Sequence, residues 1–454
     1  MWAAVLVLGA ALLVAPWFGH FDDTDAQLYQ VVVRKMAQRR SWFDPAYLDH
    51  FAPHFREHLP FGLWPFTAAE LAVGEQGPRV LALLLSLALL AGTGLVGQRL
   101  MGPWPAIGAM AVLATTESFF RYGAETRLDP LLVLLANLAA VPALLSSTRI
   151  LPWVAAGMAA ALAVLVKGPF GLVPLVAAAV AKAVDERSLS VLVRAGIAGI
   201  LACLPVSAFL LLDRFVLHAG WWETYGQGQL VASATGMRID GASAWWFPFT
   251  TIAGRFWPGL ALIAALAIKA IARQGIPRET RTLAVFSAVM LVALCIPGRK
   301  VWNHALVVYP GLALLAGSSL APFGAWFDRR ARAVARVAIA AAFVAVVSAP
   351  WIGRLVDRDP CVGSREFRAA LDQLGKGDPI LVVSDPTSWR MLASLAAERH
   401  LEPEPVSSLR EGASSGAEVA LVQDEGSTAV PSAWTLVGRA RGWTLLEKSG
   451  ARAR

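Results

Sequence analysis

Charge is scarce in this chain. Only 16% of its 454 residues are Asp, Glu, Lys or Arg, where a soluble domain carries about 25%. With 56% hydrophobic residues and a mean hydropathy of +0.55, an ordinary soluble domain is excluded. Cysteine is nearly absent: Cys203 and Cys295 fall inside apolar runs and Cys361 stands alone after the last of them. That excludes a disulfide framework, and no Cys-x-x-Cys spacing offers a metal site. Acidic charge is outnumbered, giving a net +8. The basic residues sit in short loops between apolar runs, as the positive-inside rule demands, so they are no sign of nucleic-acid binding. Internal repeats and long low-complexity segments are also lacking.

What is abundant is apolar sequence of membrane-crossing length. Runs recur at about 2–18, 79–98, 104–119, 128–146, 151–166, 169–184, 192–212, 250–270, 281–297, 302–321 and 333–352. Each is near the ~17–25 residues that span a bilayer. The fold class expected is therefore an all-α polytopic membrane protein of about 11 spans. The first run lacks a basic leader and a small-x-small cleavage site, so it is expected to stay as a span. Seventeen tryptophans, including Trp221-Trp222 and Trp245-Trp246, suit the interfacial belts. Only Lys167-Gly168-Pro169 separates the fifth and sixth runs, which points to a broken or re-entrant span.

Charge also assigns the sides. With the N-terminus inside, Arg99, Arg149, Lys182, Arg187, Arg194, Arg278, Arg281, Arg329 and Arg330 all fall in inner loops. The outer segments then hold the long polar stretch 20–77, Glu125 to Asp129, Lys167-Gly168-Pro169, the 213–249 loop and Arg299-Lys300. Within 20–77, Asp25–Arg40 reads as an amphipathic helix with Leu28, Val31, Val32 and Met36 on one face, and Leu63–Val73 as a second surface helix. After Trp351 the composition turns polar. Two buried strands, Pro379–Ser384 and Val419–Val422, and a helix over Pro386–Arg399 imply a small external α/β domain at 360–454, beside a membrane domain at 1–355.

The outer clusters are where chemistry is expected. Asp22, Asp23 and Asp25 follow the first span directly, and carboxylates cannot lie in hydrocarbon. At a water-exposed mouth they could act as a base toward a hydroxyl or ligate a cation. The plainer explanation is that Asp25 caps the helix that follows. Asp129 with Pro130 is likewise explained by capping, while Arg127 beside it has the geometry to hold a phosphate. Lys167 either snorkels or binds an anion at the helix break made by Gly168 and Pro169. Arg299-Lys300 is a basic pair on the side where basic residues are rare, which an anionic ligand would explain. His54, Glu57 and His58 form a loop cluster that could hold a metal. Carboxylates and cations on one face suit a reaction in which a base activates a hydroxyl while a phosphate leaves. A secondary transporter of an anionic substrate is the alternative from another class, and it would place ionisable groups near the midplane.

The same residues resemble a known family. Asp25-Ala26-Gln27-Leu28-Tyr29 with Arg34-Lys35-Met36 is similar to the pattern that opens the first external loop of the aminoarabinose and dolichyl-phosphate-mannose transferases. Phe55-Arg56-Glu57-His58-Leu59-Pro60 with Trp64, then Asp129-Pro130, Lys167-Gly168-Pro169 and Lys300 through Tyr309-Pro310 resemble the later motifs in the same order. The resemblance covers residues 1–320 and not the C-terminal domain. It implies a GT-C-fold, polyprenyl-phosphate-dependent membrane glycosyltransferase of the bacterial inner membrane. The implied partners are a polyprenyl-phosphate-sugar donor, membrane lipids and a lipid, protein or glycan acceptor. It implies Asp25 and Asp129 as catalytic carboxylates, and Lys300, Arg299, Lys167 and His58 as ligands of the donor phosphate, to which the reading of the residues themselves adds Arg127. Glu57 matches the family's loop Glu, which can take part in a metal site; with His54 of the loop cluster it gives the candidate metal ligands, a divalent ion being the candidate cofactor. His58 stands where the family has Lys, Leu59 replaces its first Pro, and His304 takes the place of its late Tyr. A non-catalytic member that only binds the lipid-linked sugar is a further alternative.

Overall fold

The computed structural model describes residues 1–18, 24–48, 53–146, 148–237, 244–273, 276–355, 365–375, 377–383, 389–406, 408–409, 417–423, 430, 432–440 and 443–449. The acidic residues Asp22 and Asp23, and Cys361, lie outside them. The chain divides into two compact units. One comprises Met1–Pro16, Arg56–Phe66 and Gln76–Trp351; the other comprises Trp17–Phe55, Thr67–Glu75 and Ile352–Arg454.

The larger unit is a bundle of apolar helices. It begins with α1 (Trp2–Val14), and after α2 (Thr24–Arg39) and α3 (Trp64–Val73) it continues with α4 (Gly77–Met101), α5 (Pro103–Ala114) and the short α6 (Glu117–Tyr122). Then come α7 (Asp129–Leu144), α8 (Ile150–Lys167), α9 (Val173–Glu186) and α10 (Ser190–Leu212). Most of the break points are Gly or Pro: α4 ends at Gly102 with φ +90°, and Pro103 opens α5.

The stretch Ile150–Glu186 has the length and composition of a single 37-residue span. The chain nevertheless reverses within it. Lys167, at the end of α8, reaches Asp129 at the start of α7, whereas Glu186, at the end of α9, accepts a 2.6 Å hydrogen bond from Ser146 just past the other end of α7. Thus α8 runs back along α7 and α9 runs forward again. Gly168 makes the turn at φ +75°, a conformation that favours glycine. A Cβ at Gly171 would stand 2.7 Å from the Ala163 backbone, so the hairpin closes only over glycine there. The expected break at Lys167-Gly168-Pro169 is this turn.

The second half holds α11 (Ala232–Thr235), α12 (Phe247–Arg255), α13 (Trp257–Arg273), α14 (Arg278–Cys295), α15 (Tyr309–Ser318), α16 (Gly324–Arg329) and α17 (Ala331–Leu355). Four described helical stretches are long and apolar enough to cross a membrane, or five if α12 and α13 count as one span. The chain is a polytopic membrane protein, with fewer full-length helices than the eleven runs suggest. The run at 250–270 is bent by 99° between α12 and α13, where Pro258 follows Trp257 and cannot donate to the helix before it. The run at 302–321 opens as a 3-10 turn, Trp302–Val307, before the ten-residue α15.

The smaller unit joins α2 to α18 (Arg365–Asp372), α19 (Trp389–Glu398) and a five-stranded sheet. The strands are β1 (Pro379–Val383), β2 (Glu402–Val406), β3 (Val419–Gln423), β4 (Trp434–Ala440) and β5 (Trp443–Lys448), in the order β2-β1-β3-β5-β4. β1 is parallel to β2 and β3, and β5 returns antiparallel to β3 and β4. Alternate residues feed two cores, Ile380, Val382 and Leu421 on one face and Leu381, Ala420 and Val422 on the other.

The helix α2 is more than amphipathic: residues 31–37 are all buried, Arg34 and Lys35 included. Arg34 lies against the C-terminal end of α19. Its guanidinium donates to the carbonyls of Ala396 and Ala397, contacts His400 Nδ1 at 2.8 Å and pairs with Glu75 at 2.7 Å. It satisfies carbonyls that the helix end leaves open, and its charge opposes the helix dipole. Lys35 pairs with Glu402 at 2.7 Å.

Candidate active site

The carboxylate of Asp129 is the centre of the larger unit's polar cluster. It opens α7 with Pro130 at the next position, the sequence of a cap. Its oxygens cap nothing. Oδ1 accepts a 2.8 Å hydrogen bond from Lys167 Nζ and Oδ2 a 3.2 Å bond from Arg127 Nε. Asp129 is 2% exposed and Arg127 not at all. Such a buried group is tolerable because every charge has a partner. Arg127 also faces Glu125 at 3.7 Å, and its guanidinium lies 5.3 Å from the rings of both Tyr122 and Trp302. Arg127 was expected to meet a phosphate. It lies fully buried beside two carboxylates and holds Asp129 in place.

Lys167 projects from the end of α8 at the Gly168 turn. Asp129, Lys167, Phe170, Asn303 and His304 line a small cavity of about 10 Å³, on the scale of one water. The His304 ring lies on Phe170 at 4.1 Å. His304 also lines a second cavity together with Thr251, Val301 and Lys300. One imidazole therefore stands between the Asp129–Lys167 pair and Lys300. Lys300 is 4% exposed and donates to the Pro297 carbonyl at 2.7 Å. Its loop is clamped by backbone contact: the amides of Gly298 and Arg299 donate to Ala234 and Ser233. A Cβ on Gly298 would come within 2.5 Å of the Gly236 amide.

Two groups beside this cluster escape the sequence reading. Arg255 ends α12, places its guanidinium 4.6 Å from the Trp302 ring and donates to Ser118 Oγ at 3.4 Å. It stands inside an apolar run, where an ionisable residue is itself a signal. Tyr225 is buried with its hydroxyl near the Gly168 turn, and that hydroxyl has no hydrogen-bond partner among the described residues. Burial raises its pKa above the usual phenol value. Its loop is anchored by Asp213, whose buried carboxylate accepts from the amides of Ala219 and Trp222 at 3.0 and 2.9 Å.

The other expected site residues lie on other elements. Asp25 lies in the first turn of α2, half-buried, in the smaller unit. Glu57 is exposed and His58 half-buried, just before the 3-10 turn Pro60–Gly62. His54 is exposed and sets Nδ1 3.0 Å from Asp44. Among the described residues no group of three or more His, Cys, Asp or Glu side chains could hold a metal ion. Glu57 and His54, the expected metal ligands, belong to no such group.

No protein-family model matches the chain, and no curated protein matches it in sequence. Solved structures do match. ArnT from Cupriavidus metallidurans bound to undecaprenyl phosphate superposes with a TM-score of 0.71 at 15% identity, over 99% of this chain and 98% of that one. The chain has the GT-C fold. The archaeal oligosaccharyltransferase AglB from Archaeoglobus fulgidus, in complex with an inhibitory peptide and a dolichol-phosphate, shares this fold at TM-score 0.52 and 12% identity. It aligns over 93% of this chain and 69% of that one. An Archaeoglobus fulgidus oligosaccharyltransferase in complex with Zn and sulfate aligns at TM-score 0.53 and 15% identity, over 92% and 68%. A small C-terminal sheet domain completes the GT-C helices here, as the sequence leads one to expect.

Proposed function

We propose that the chain is an integral-membrane glycosyltransferase that moves a sugar from a polyprenyl-phosphate carrier to a lipid, protein or glycan acceptor. The reading places it in a bacterial inner membrane, with the reaction on the periplasmic side. One observation carries it: a buried Asp129 paired with Lys167 at a helix break, with Lys300 beyond the shared His304, in a GT-C fold. A fold-level likeness to ArnT bound to undecaprenyl phosphate, and to AglB with dolichol-phosphate, supports a polyprenyl-phosphate donor.

In this reading the acceptor hydroxyl attacks the anomeric carbon in line, the carbon–oxygen bond to phosphate breaks, and the configuration inverts. Asp25 accepts or orients the acceptor proton. Lys300, Arg299, Lys167 and His58 stabilise the charge that grows on the departing phosphate. Asp129 is the second carboxylate, fixed by Lys167 and Arg127. Where the family has a Lys, His58 carries a charge that depends on pH.

The test is transfer from a panel of radiolabelled polyprenyl-phosphate sugars by the purified protein in membrane lipid extract, with Asp25→Asn beside it. The expected result is labelled product with one donor, reduced at least ~100-fold in the variant, the scale of a lost general base. Donor binding without transfer by the wild type favours a non-catalytic binding protein. Absence of both returns the weight to a transporter.

A further inference from the structure

At the opposite end of α7, some 24 Å from Asp129 by the rise of its 16 residues, lies a second polar cavity of about 210 Å³. It opens where α4, α7 and α9 end and α14 begins. Arg99, Lys182 and Arg278 line it against Asp185 and Glu279, and leucines including Leu100 and Leu283 form its apolar wall.

The three cations have donors to spare. Lys182 is only 8% exposed, yet its ammonium makes no hydrogen bond among the described residues: Glu186 and Asp185 stand at 3.5 and 3.7 Å. Asp185 is taken by Arg278 Nε at 2.8 Å and by Arg281 at 3.1 Å, which leaves the terminal nitrogens of Arg278 open. Arg99 is exposed and makes no ion pair among the described residues. The wall adds a fourth element, because α14 begins there after Pro277 with no side-chain cap on its first amides. A largely buried lysine whose ammonium is ion-paired but not hydrogen-bonded, facing a cavity among further cations, suits an anion with several acceptor oxygens. The leucine wall and the position at the helix ends place that anion at a bilayer interface, where basic pockets between helices take phospholipid headgroups.

We propose that this cavity binds a phosphate ester anion, supplied by the headgroup of an anionic glycerophospholipid, at the membrane face opposite the candidate active site. The volume equals about seven waters at ~30 Å³ each, which is on the scale of a phosphate with a glycerol attached. The proposal does not depend on the glycosyltransferase reading.

Native mass spectrometry of the full-length protein, loaded with equimolar phosphatidylglycerol and phosphatidylethanolamine of matched acyl chains, tests it. Wild type should retain phosphatidylglycerol preferentially. R99Q and R278Q, both exposed positions, should each lower that retention about fivefold, the effect of one interfacial cation. R329Q/R330Q, at the basic end of α16, should leave it unchanged. Inorganic phosphate is the second arm. Displacement of the lipid by millimolar phosphate, with the same dependence on Arg99 and Arg278, keeps the site and assigns it to free phosphate. Equal retention of the two lipids overturns the proposal, as does retention unaffected by R99Q and R278Q or equally reduced by R329Q/R330Q. Lipid-induced thermal stabilisation gives an independent readout, and it should vanish in the R99Q/R278Q double variant.

Discussion

The two ends of α7 solve one problem in two ways. At its start, Asp129 is held by Lys167 and Arg127; Asp129 and Arg127 are buried and the Lys167 side chain is 10% exposed. At its end, Asp185 is held by Arg278 and Arg281, whose side chains are 56% and 59% exposed. Asp129 has two cationic partners and Asp185 three, Lys182 being the more distant at 3.7 Å, yet the ion pairs differ in what they cost to break. Buried charges have no water to fall back on, so losing one partner strands the others. Exposed guanidiniums are rehydrated when a partner goes, and salt already screens them. The first arrangement fixes geometry; the second leaves cations available.

Substitution at the first end should have the largest effect. Asp129→Asn takes a carboxylate partner from both Lys167 and Arg127 and should destabilise the protein by about 3–5 kcal/mol in detergent melts. Adding Lys167→Met should recover a large part of that stability, while transfer stays abolished in both. Recovery of activity along with stability would reduce Asp129 to a packing role. At the other end, Arg281→Gln should cost at most about 1 kcal/mol, and the difference should shrink further in high salt. A loss as large as at Asp129 would erase the distinction between the two ends.

A third carboxylate, Glu70 in the smaller unit, sharpens the contrast because it gains least from pairing. Burial raises its pKa, against a lowering from Arg34 and with a further rise from Glu75. A raised carboxyl pKa favours the protonated form in the fold. The stability that Glu70 contributes is therefore full below the ordinary Glu pKa and is lost as pH rises through the folded one. Glu70→Gln should leave acid stability unchanged and flatten the decline toward neutral pH, by an amount smaller than either effect above. A steeper decline in the Glu70→Gln variant would reverse the sign argued here.

Much of this was legible in the sequence, and the failures have physical causes. Long apolar runs determine α4, α10 and α17 because the bilayer tolerates little else. The strands β1 and β3 read as short apolar runs for the same reason of burial on both faces. β2 is Glu-Pro-Glu-Pro-Val and reads as a loop, since proline cannot complete a ladder; it lies at a sheet edge, where that matters least. Lys167 and Asp129 stood out individually, but 38 residues apart nothing local reveals that they touch. The capping rule misread Asp129 because it weighs only the helix that follows. Arg255 was missed because an apolar count averages over a single polar residue, and Tyr225 because nothing local in the 213–249 loop marks a hydroxyl that the fold buries.

The turn at Gly168 reaches well beyond its own neighbourhood. During insertion, a straight helix from Ile150 to Glu186 would deliver the chain to one side of the membrane, and the observed reversal delivers it to the other. Every loop after Glu186 inherits that choice, including the one that carries Lys300. A single dihedral angle of +75° thus acts as a parity switch for the second half of the protein. Mutants at this glycine are best judged by the sidedness of downstream loops rather than by melting temperature alone.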